Sequence, residues 1–254
     1  MLHILVANVG STSLKYKLVG VRSPESEQAQ YSTLASGSIE RIGLPGAKAI
    51  VEHIRLSEQG QMRVFASEVE EPDYASAIEL MLRSLTRPPL GVLENLSALD
   101  AIGFKAVHGG VYRQSVTVIP QVLAEMERMT PAAPAHNPPY ILAMRLFQQV
   151  APTVPLVAVW ETSFHATMPD YARVYAVPHM WQEAYGIEHY GFHGASHRYI
   201  SRRIAELAPG APPLRIISCH LGGSSSVCAI SDGQSIDTSM GFSPQSGLPQ
   251  TKRT

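Results

Sequence analysis

Two stretches of this chain echo each other, and the echo constrains the fold more than any other feature. Ile4-Leu5-Val6-Ala7-Asn8-Val9-Gly10-Ser11-Thr12-Ser13 aligns with Ile216-Ile217-Ser218-Cys219-His220-Leu221-Gly222-Gly223-Ser224-Ser225, 212 positions later. In both, an apolar run suited to a buried strand leads into a small, hydroxyl-bearing turn. In both, a polar residue (Asn8 or His220) stands two positions before the glycine. Glycine lets the backbone approach closely, and the amides and hydroxyls of such a turn can face an anion. Either copy alone also fits an ordinary hairpin. A repeat, however, implies a duplicated unit. It predicts two similar domains, residues 1–150 and 151–254, each offering a phosphate turn, with the boundary near Ala151–Pro155.

The second copy opens a longer pattern: strand Arg215–Leu221, turn Gly222–Ser226, strand Val227–Ile230, an SDGQ turn, and strand Ser235–Thr238. The first copy predicts strand, turn, strand over residues 2–19, with Lys15 and Lys17 alternating with Leu14, Tyr16 and Leu18. A polar loop is expected over 23–33. Strands follow over 34–70, with turns at Gly43–Gly46 and Glu58–Gly60. Tyr74–Leu85 reads as an amphipathic helix, with Ile78, Leu82 and Leu85 on one face, ended by Arg87-Pro88-Pro89. Further on come strand Ala101–His108, helix Pro120–Met129, and a loop over Pro131–Pro139. Asn137 is expected to N-cap a helix over Tyr140–Val150. Leu156–Trp160 and Val174–Val177 read as strands, Trp181–Tyr185 as a helical turn, and Ser196–Leu207 as a helix whose Arg198, Arg202 and Arg203 face solvent. Strands with helices between them give an α/β class.

The chain has 254 residues, with 20 basic residues against 21 acidic, so no electrostatic footprint argues for nucleic acid or an anionic membrane. No apolar run reaches the length of a membrane span, and the N-terminus lacks the basic start of a signal peptide. Cys219 and Cys228 are the only cysteines. They read as reduced core thiols of a cytosolic protein, with a bridge between neighbouring strands left open. No Cys/His spacing suggests a metal cage. His108, His136 and His197 each have a structural reading.

Seven blocks resemble the successive motifs of the acetate kinase family. They are Asn8-Val9-Gly10-Ser11-Thr12-Ser13-Leu14-Lys15, Val107-His108-Gly109-Gly110, Ala135-His136-Asn137-Pro138, Trp160-Glu161-Thr162-Ser163-Phe164-His165, Tyr190-Gly191-Phe192-His193-Gly194-Ala195-Ser196-His197, Cys219-His220-Leu221-Gly222-Gly223, and Asp237-Thr238-Ser239-Met240-Gly241-Phe242-Ser243-Pro244. The resemblance covers the whole chain and implies duplicated actin-like (ribonuclease H-like) domains. It implies transfer of the γ-phosphoryl of ATP to a short carboxylate, giving an acyl phosphate and ADP. The implied cofactor is Mg²⁺, with Mn²⁺ as a substitute. The protein would be a cytoplasmic homodimer acting on small molecules. By the same resemblance, Asn8 belongs to the metal turn. Ser11, Ser13 and Lys15 belong to the first phosphate turn, and His220, Gly222, Gly223 and Ser224 to the second. His193 binds the phosphoryl group in flight, and Arg253 neutralises its charge. Val107, Phe192, Ala135 and Pro244 shape the acyl pocket.

The chain departs from that pattern in four places. Lys105 stands where the family has arginine, which keeps the charge and loses the planar fork. Glu161 stands where the family has aspartate and is expected to join the catalytic group. Ala135 replaces leucine, which predicts a roomier acyl pocket. Gly223 replaces an asparagine. The family is also longer, so the resemblance implies an incomplete second domain, with the adenosine pocket beyond residue 254. Two alternatives stay open: a propionate or butyrate kinase, or a non-catalytic nucleotide- or phosphate-binding fragment.

Overall fold

Strict alternation along the first copy builds a hairpin. β1 (Leu2–Val9) and β2 (Ser13–Arg22) pair antiparallel, with Val9 opposite Leu14. Leu5, Ala7, Val9, Leu14, Tyr16 and Leu18 are buried, while Val6, Asn8, Lys15 and Lys17 point outward. In the computed structural model, which describes residues 1–23, 30–44, 49–56, 62–69, 73–210 and 214–249, the hairpin seeds an eight-stranded sheet. β3 (Gln30–Glu40), β4 (Ala49–Leu56) and β5 (Met62–Val69) continue it as an antiparallel meander. β6 (Ala101–Ala106) joins β1 in parallel, and β8 (Leu156–Trp160) and the short β7 (Val116–Thr117) complete the order β5-β4-β3-β2-β1-β6-β8-β7.

A parallel pair needs a long crossover, and α1 (Tyr74–Thr86) lies in it. Asp73 caps α1 by accepting from the Ser76 amide at 2.8 Å, and the helix buries Ala77, Ile78, Met81, Leu82 and Leu85. It ends at Arg87, held extended before Pro88. α2 (Pro120–Arg128) and α3 (Asn137–Val150) follow, and Phe147 of α3 meets Phe104 of β6 edge-on at 5.4 Å.

The chain forms two compact units. The first comprises Met1–Ala106, Val116–Leu123 and Pro138–Ala158, and the second Val107–Ser115, Ala124–Asn137 and Val159–Thr254. Within the second lie a 3-10 turn (Ser163–Thr167), α4 (Asp170–Arg173), α5 (His179–Tyr185) and α6 (Gly194–Leu207). β9 (Arg215–Leu221), β10 (Ser225–Ser231) and β11 (Gln234–Thr238) form a three-stranded antiparallel sheet with β10 central. Across β9 and β10 the inner face grades from apolar to polar toward the turn. Ile216 faces Ile230, Ser218 faces Cys228, and His220 faces Ser226. Phe164, Cys228, Ile230 and Ile216 pack together at the apolar end.

Several sequence expectations change. Gln30–Thr33 belong to β3 rather than a loop, because Thr33 and Gln30 pair with Val19 and Arg22 of β2, and ladder pairing overrides polar composition. Val174–Val177 is not a strand. The Val174 amide closes α4 on the Asp170 carbonyl, and the Val177 amide bonds the Tyr175 carbonyl, so turns use the backbone groups a ladder would need. α3 starts at Asn137 itself, and the Asn137 side chain caps nothing in that helix. Cys219 is exposed rather than part of the core, and both cysteines are free thiols. The turn at Glu58–Gly60, Gly46 and Arg253 lie outside the described residues.

Candidate active site

In the first unit, the outward face of the sheet carries a polar row set by register. Asn8 faces Lys15, Lys15 faces Ser38, and Ser38 faces Glu52. With Lys17, Ser36 and Lys105 of β6, these residues line an open groove of about 460 Å³. The groove therefore gathers three of the expected residues: Asn8, Lys15 and Lys105. Asn8 is oriented from α3, where the Tyr140 hydroxyl donates to Asn8 Oδ1 at 2.9 Å and accepts from the Val9 amide at 3.1 Å. Lys15 pairs with Glu40 at 3.2 Å, an exposed contact of small energetic weight. Ser11 and Ser13 sit in the turn, which the Gly10 amide closes on the Ser13 carbonyl at 2.8 Å. The Tyr74 hydroxyl donates to the Gly10 carbonyl.

In the second unit, three sequence-distant segments meet around His193. His193 is the N-cap of α6 and adopts the left-handed conformation (φ 58°). Its ring stacks on His220 of β9 at 4.0 Å between centroids, and its Nδ1 is hydrogen-bonded to Ser226 Oγ of β10 at 2.9 Å. His220 Nδ1 is bonded in turn to Ser196 Oγ of α6 at 3.0 Å. The start of α6 is tied to the residue after β8, where the Gly194 amide donates to the Glu161 carbonyl at 2.9 Å. A side chain at Gly194 would strike that carbonyl, so only glycine fits there. Glu161 itself is buried. The Gly222–Ser224 turn follows one residue after His220, past Leu221.

The loop into His193 is held from several sides. His165 Nε2 donates to the Phe192 carbonyl at 3.0 Å, leaving Nδ1 to accept from Ser235 Oγ at 2.8 Å. Burial drives the His165 pKa down to about 3, the Phe192 carbonyl opposing. His197 is also fully buried. Burial first, then the nearby His220, lowers its pKa to about 4, while Glu161 acts the other way. Glu188, buried, pairs with both Arg113 and Arg173, and the Arg113 guanidinium lies 5.0 Å over the Tyr190 ring. Gly191 (φ 75°) packs against His165 and Thr238 where a Cβ would collide.

Phe192 is buried and lies 5.7 Å from the His108 ring, the residue after Val107. His108 Nδ1 accepts from the Gly110 amide, and burial, then Arg113, pushes its pKa down to about 3. Asn137 fixes this segment: Oδ1 accepts from the His108 amide at 3.3 Å, and Nδ2 donates to the carbonyls of His108 and Met126. Ala135 is exposed and Pro244 half-buried. The contacts thus gather His193, His220 and Phe192 closely, and Val107 and Glu161 by neighbouring residues. Sequence reasoning did not single out Ser196, Ser226, His165 or Glu188, and it gave His197 a structural role. The i, i+4 spacing of His193 and His197 was the available signal. Among the described residues, no group of three or more His, Cys, Asp or Glu side chains could hold a metal ion. No described helix is long and apolar enough to cross a membrane.

The chain matches the acetokinase family over residues 3–254. It is 42% identical over 255 residues to the acetate kinase of Desulfitobacterium hafniense, covering all of this chain and 61% of that protein. It is 40% identical to the acetate kinase of Oceanobacillus iheyensis, covering 60% of that protein. Among solved structures it resembles Porphyromonas gingivalis acetate kinase (34% identity, TM-score 0.78) and a propionate kinase from Francisella tularensis (33%, TM-score 0.81). Each of these alignments covers 98% of this chain and 60% of the solved one. The chain thus spans about 60% of the length of the relatives it matches.

Proposed function

The chain belongs to the acetokinase family, and from that premise we propose that it carries the phosphoryl- and acyl-binding part of an ATP:acetate phosphotransferase, giving acetyl phosphate and ADP. The observation that supports this most is the meeting of His193, His220 and Ser226 beside the Gly222–Ser224 turn. A carboxylate is ionised at neutral pH, so no general base is required. The work left to the protein is in-line positioning and donors for the equatorial oxygens of the phosphoryl group. His193, the turn amides and the Arg253 guanidinium serve as those donors. Val107 and Phe192 hold the acyl methyl. Glu161 anchors the start of α6 through its carbonyl, and its carboxylate joins the catalytic group. Lys105 offers positive charge to the substrate carboxylate as a point donor.

Asn8 supplies one oriented amide oxygen, which fits a hard cation that keeps water and nucleotide oxygens as its other ligands. Mg²⁺, or Mn²⁺ in its place, would neutralise phosphate charge there when bound. The whole protein acts as a cytoplasmic homodimer on small molecules. A second reading is a propionate or butyrate kinase, favoured by the small, exposed Ala135 and by the likeness to a propionate kinase.

A hydroxamate trap over acetate, propionate and butyrate, with ADP followed in parallel, tests all three readings. Carboxylate-dependent ADP formation with kcat/KM for propionate within about tenfold of acetate is expected, since a roomier pocket gives up most of the about 1–3 kcal/mol (roughly 10- to 200-fold) by which a tight one tells a methylene apart. Strong acetate preference removes the enlarged pocket. Nucleotide binding without acyl phosphate leaves only a binding fragment.

A further inference from the structure

Ser218 stands at the buried end of a chain of three hydrogen bonds that leads to His193. Ser218 Oγ is 2.9 Å from His197 Nδ1, His197 Nε2 is 2.8 Å from Ser226 Oγ, and Ser226 Oγ is 2.9 Å from His193 Nδ1. Ser218, His197 and Ser226 are 3%, 0% and 0% exposed. Burial keeps His197 neutral at working pH, so one of its nitrogens donates and the other accepts. A serine hydroxyl carries a single proton, so Ser226 donates to one histidine and accepts from the other. The chain therefore runs in one of two directions.

In the first, Ser218 donates to His197 Nδ1, His197 Nε2–H donates to Ser226, and Ser226 donates to His193 Nδ1. Both serine protons and the buried His197 ring proton then have acceptors within the chain. In the second, His193 Nδ1–H donates to Ser226, Ser226 to His197 Nε2, and His197 Nδ1–H to Ser218. The Ser218 proton then has no acceptor in a buried site, which is costly.

We infer that Ser218, acting through His197 and Ser226, fixes neutral His193 as the Nε2–H tautomer. Nε2–H is then the donor offered to the phosphoryl oxygens, before substrate arrives. Ser218 and His197 are positioning residues, since neither needs to touch the substrate. The functional half of this inference rests on the role proposed above for His193. The tautomer itself does not.

Nitrogen-15 NMR of histidine-labelled protein at pH 8, with His193 assigned by loss of its signals in His193→Gln, reads the tautomer directly. The wild type is expected to show Nδ1 unprotonated and Nε2 protonated. In Ser218→Ala the bias disappears, the Nδ1–H form becomes a substantial fraction, and kcat falls roughly tenfold with KM for ATP little changed. Ser218→Thr restores both. Should Ser218→Ala fail to fold, Ser218→Cys, a weak donor in the same place, carries the same comparison. Ser218→Ala, or Ser218→Cys in its place, keeping the wild-type tautomer overturns the inference. If the tautomer shifts and the rate does not, the relay stands and the role of His193 in phosphoryl transfer falls.

Discussion

The β1–β2 and β9–β10 hairpins share a sequence pattern and present opposite faces to their surroundings. In the first, Val9 pairs with Leu14, and Gly10–Ser13 close a tight turn. In the second, Leu221, the counterpart of Val9, pairs with Ser225, the counterpart of Ser13. The registers differ by one residue, and a one-residue slip turns every side chain of a strand to the other face. Leu5, Ala7 and Val9 are accordingly buried, whereas their counterparts Ile217 and Leu221 are 67% and 72% exposed and Cys219 is exposed as well. Asn8 faces an open groove, while its counterpart His220 turns inward to Ser196 and His193. The first turn is thus braced by tyrosine hydroxyls from helices, and the second is built into a histidine–serine network. Apolar pattern specifies that a strand forms. Pairing across the turn decides which face is used.

The contrast predicts unequal costs. Removing the inward ring, His220→Ala, is expected to lower kcat roughly a hundredfold, and Asn8→Ala about tenfold, since only the former belongs to the pre-built donor cluster. Equal losses in steady-state kinetics break the asymmetry. On the stability side, Tyr140→Phe leaves the buried Val9 amide without its acceptor. It should lower unfolding free energy by about 1–3 kcal/mol, read from the urea midpoint at constant slope.

Acid should act on the second unit first. His108, His165 and His197 are buried there with lowered pKa values, against His53 in the first unit, lowered mainly by burial. An unfolded histidine takes its proton near pH 6.5 and these folded ones only below about 4. Their contribution is therefore complete above pH 6.5 and is lost as pH falls toward 4. At pH 5 the cost is about 2 kcal/mol apiece for His108 and His165. Hydrogen exchange should show β9–β10 losing protection before β1–β2 over that range, and simultaneous loss would argue against the histidine account. The smallest effect is chemical. Cys219 should react with a thiol reagent in the native state while Cys228, buried and raised to about 11, stays silent until unfolding.

Much of this was legible in the sequence because it is local. Apolar runs indicated β1 and β9, alternation indicated β2, proline ended α1, and the glycine-serine runs indicated both turns. What escaped depends on partners far along the chain. Gln30–Thr33 look like loop until β2 pairs with them. Asn137 looks like a helix cap until the His108 and Met126 carbonyls claim its amide. Ser218 and Ser226 look like polar strand residues until His197 comes between them. Glu188 gives no sign in its neighbours that two arginines, 75 and 15 positions away, enclose it. A polar residue on an inner face takes its meaning from its acceptor, and no one-dimensional spacing records that.

The central claim is that His193, held by Ser226 and stacked on His220, is the pre-oriented hydrogen-bond donor to the phosphoryl group. Single-turnover acyl phosphate formation by His193→Ala, beside the wild-type protein at saturating ATP and carboxylate, tests it most directly. The account predicts a loss of roughly 10²–10³ in rate with substrate binding nearly intact. A rate within about threefold of wild type would contradict it.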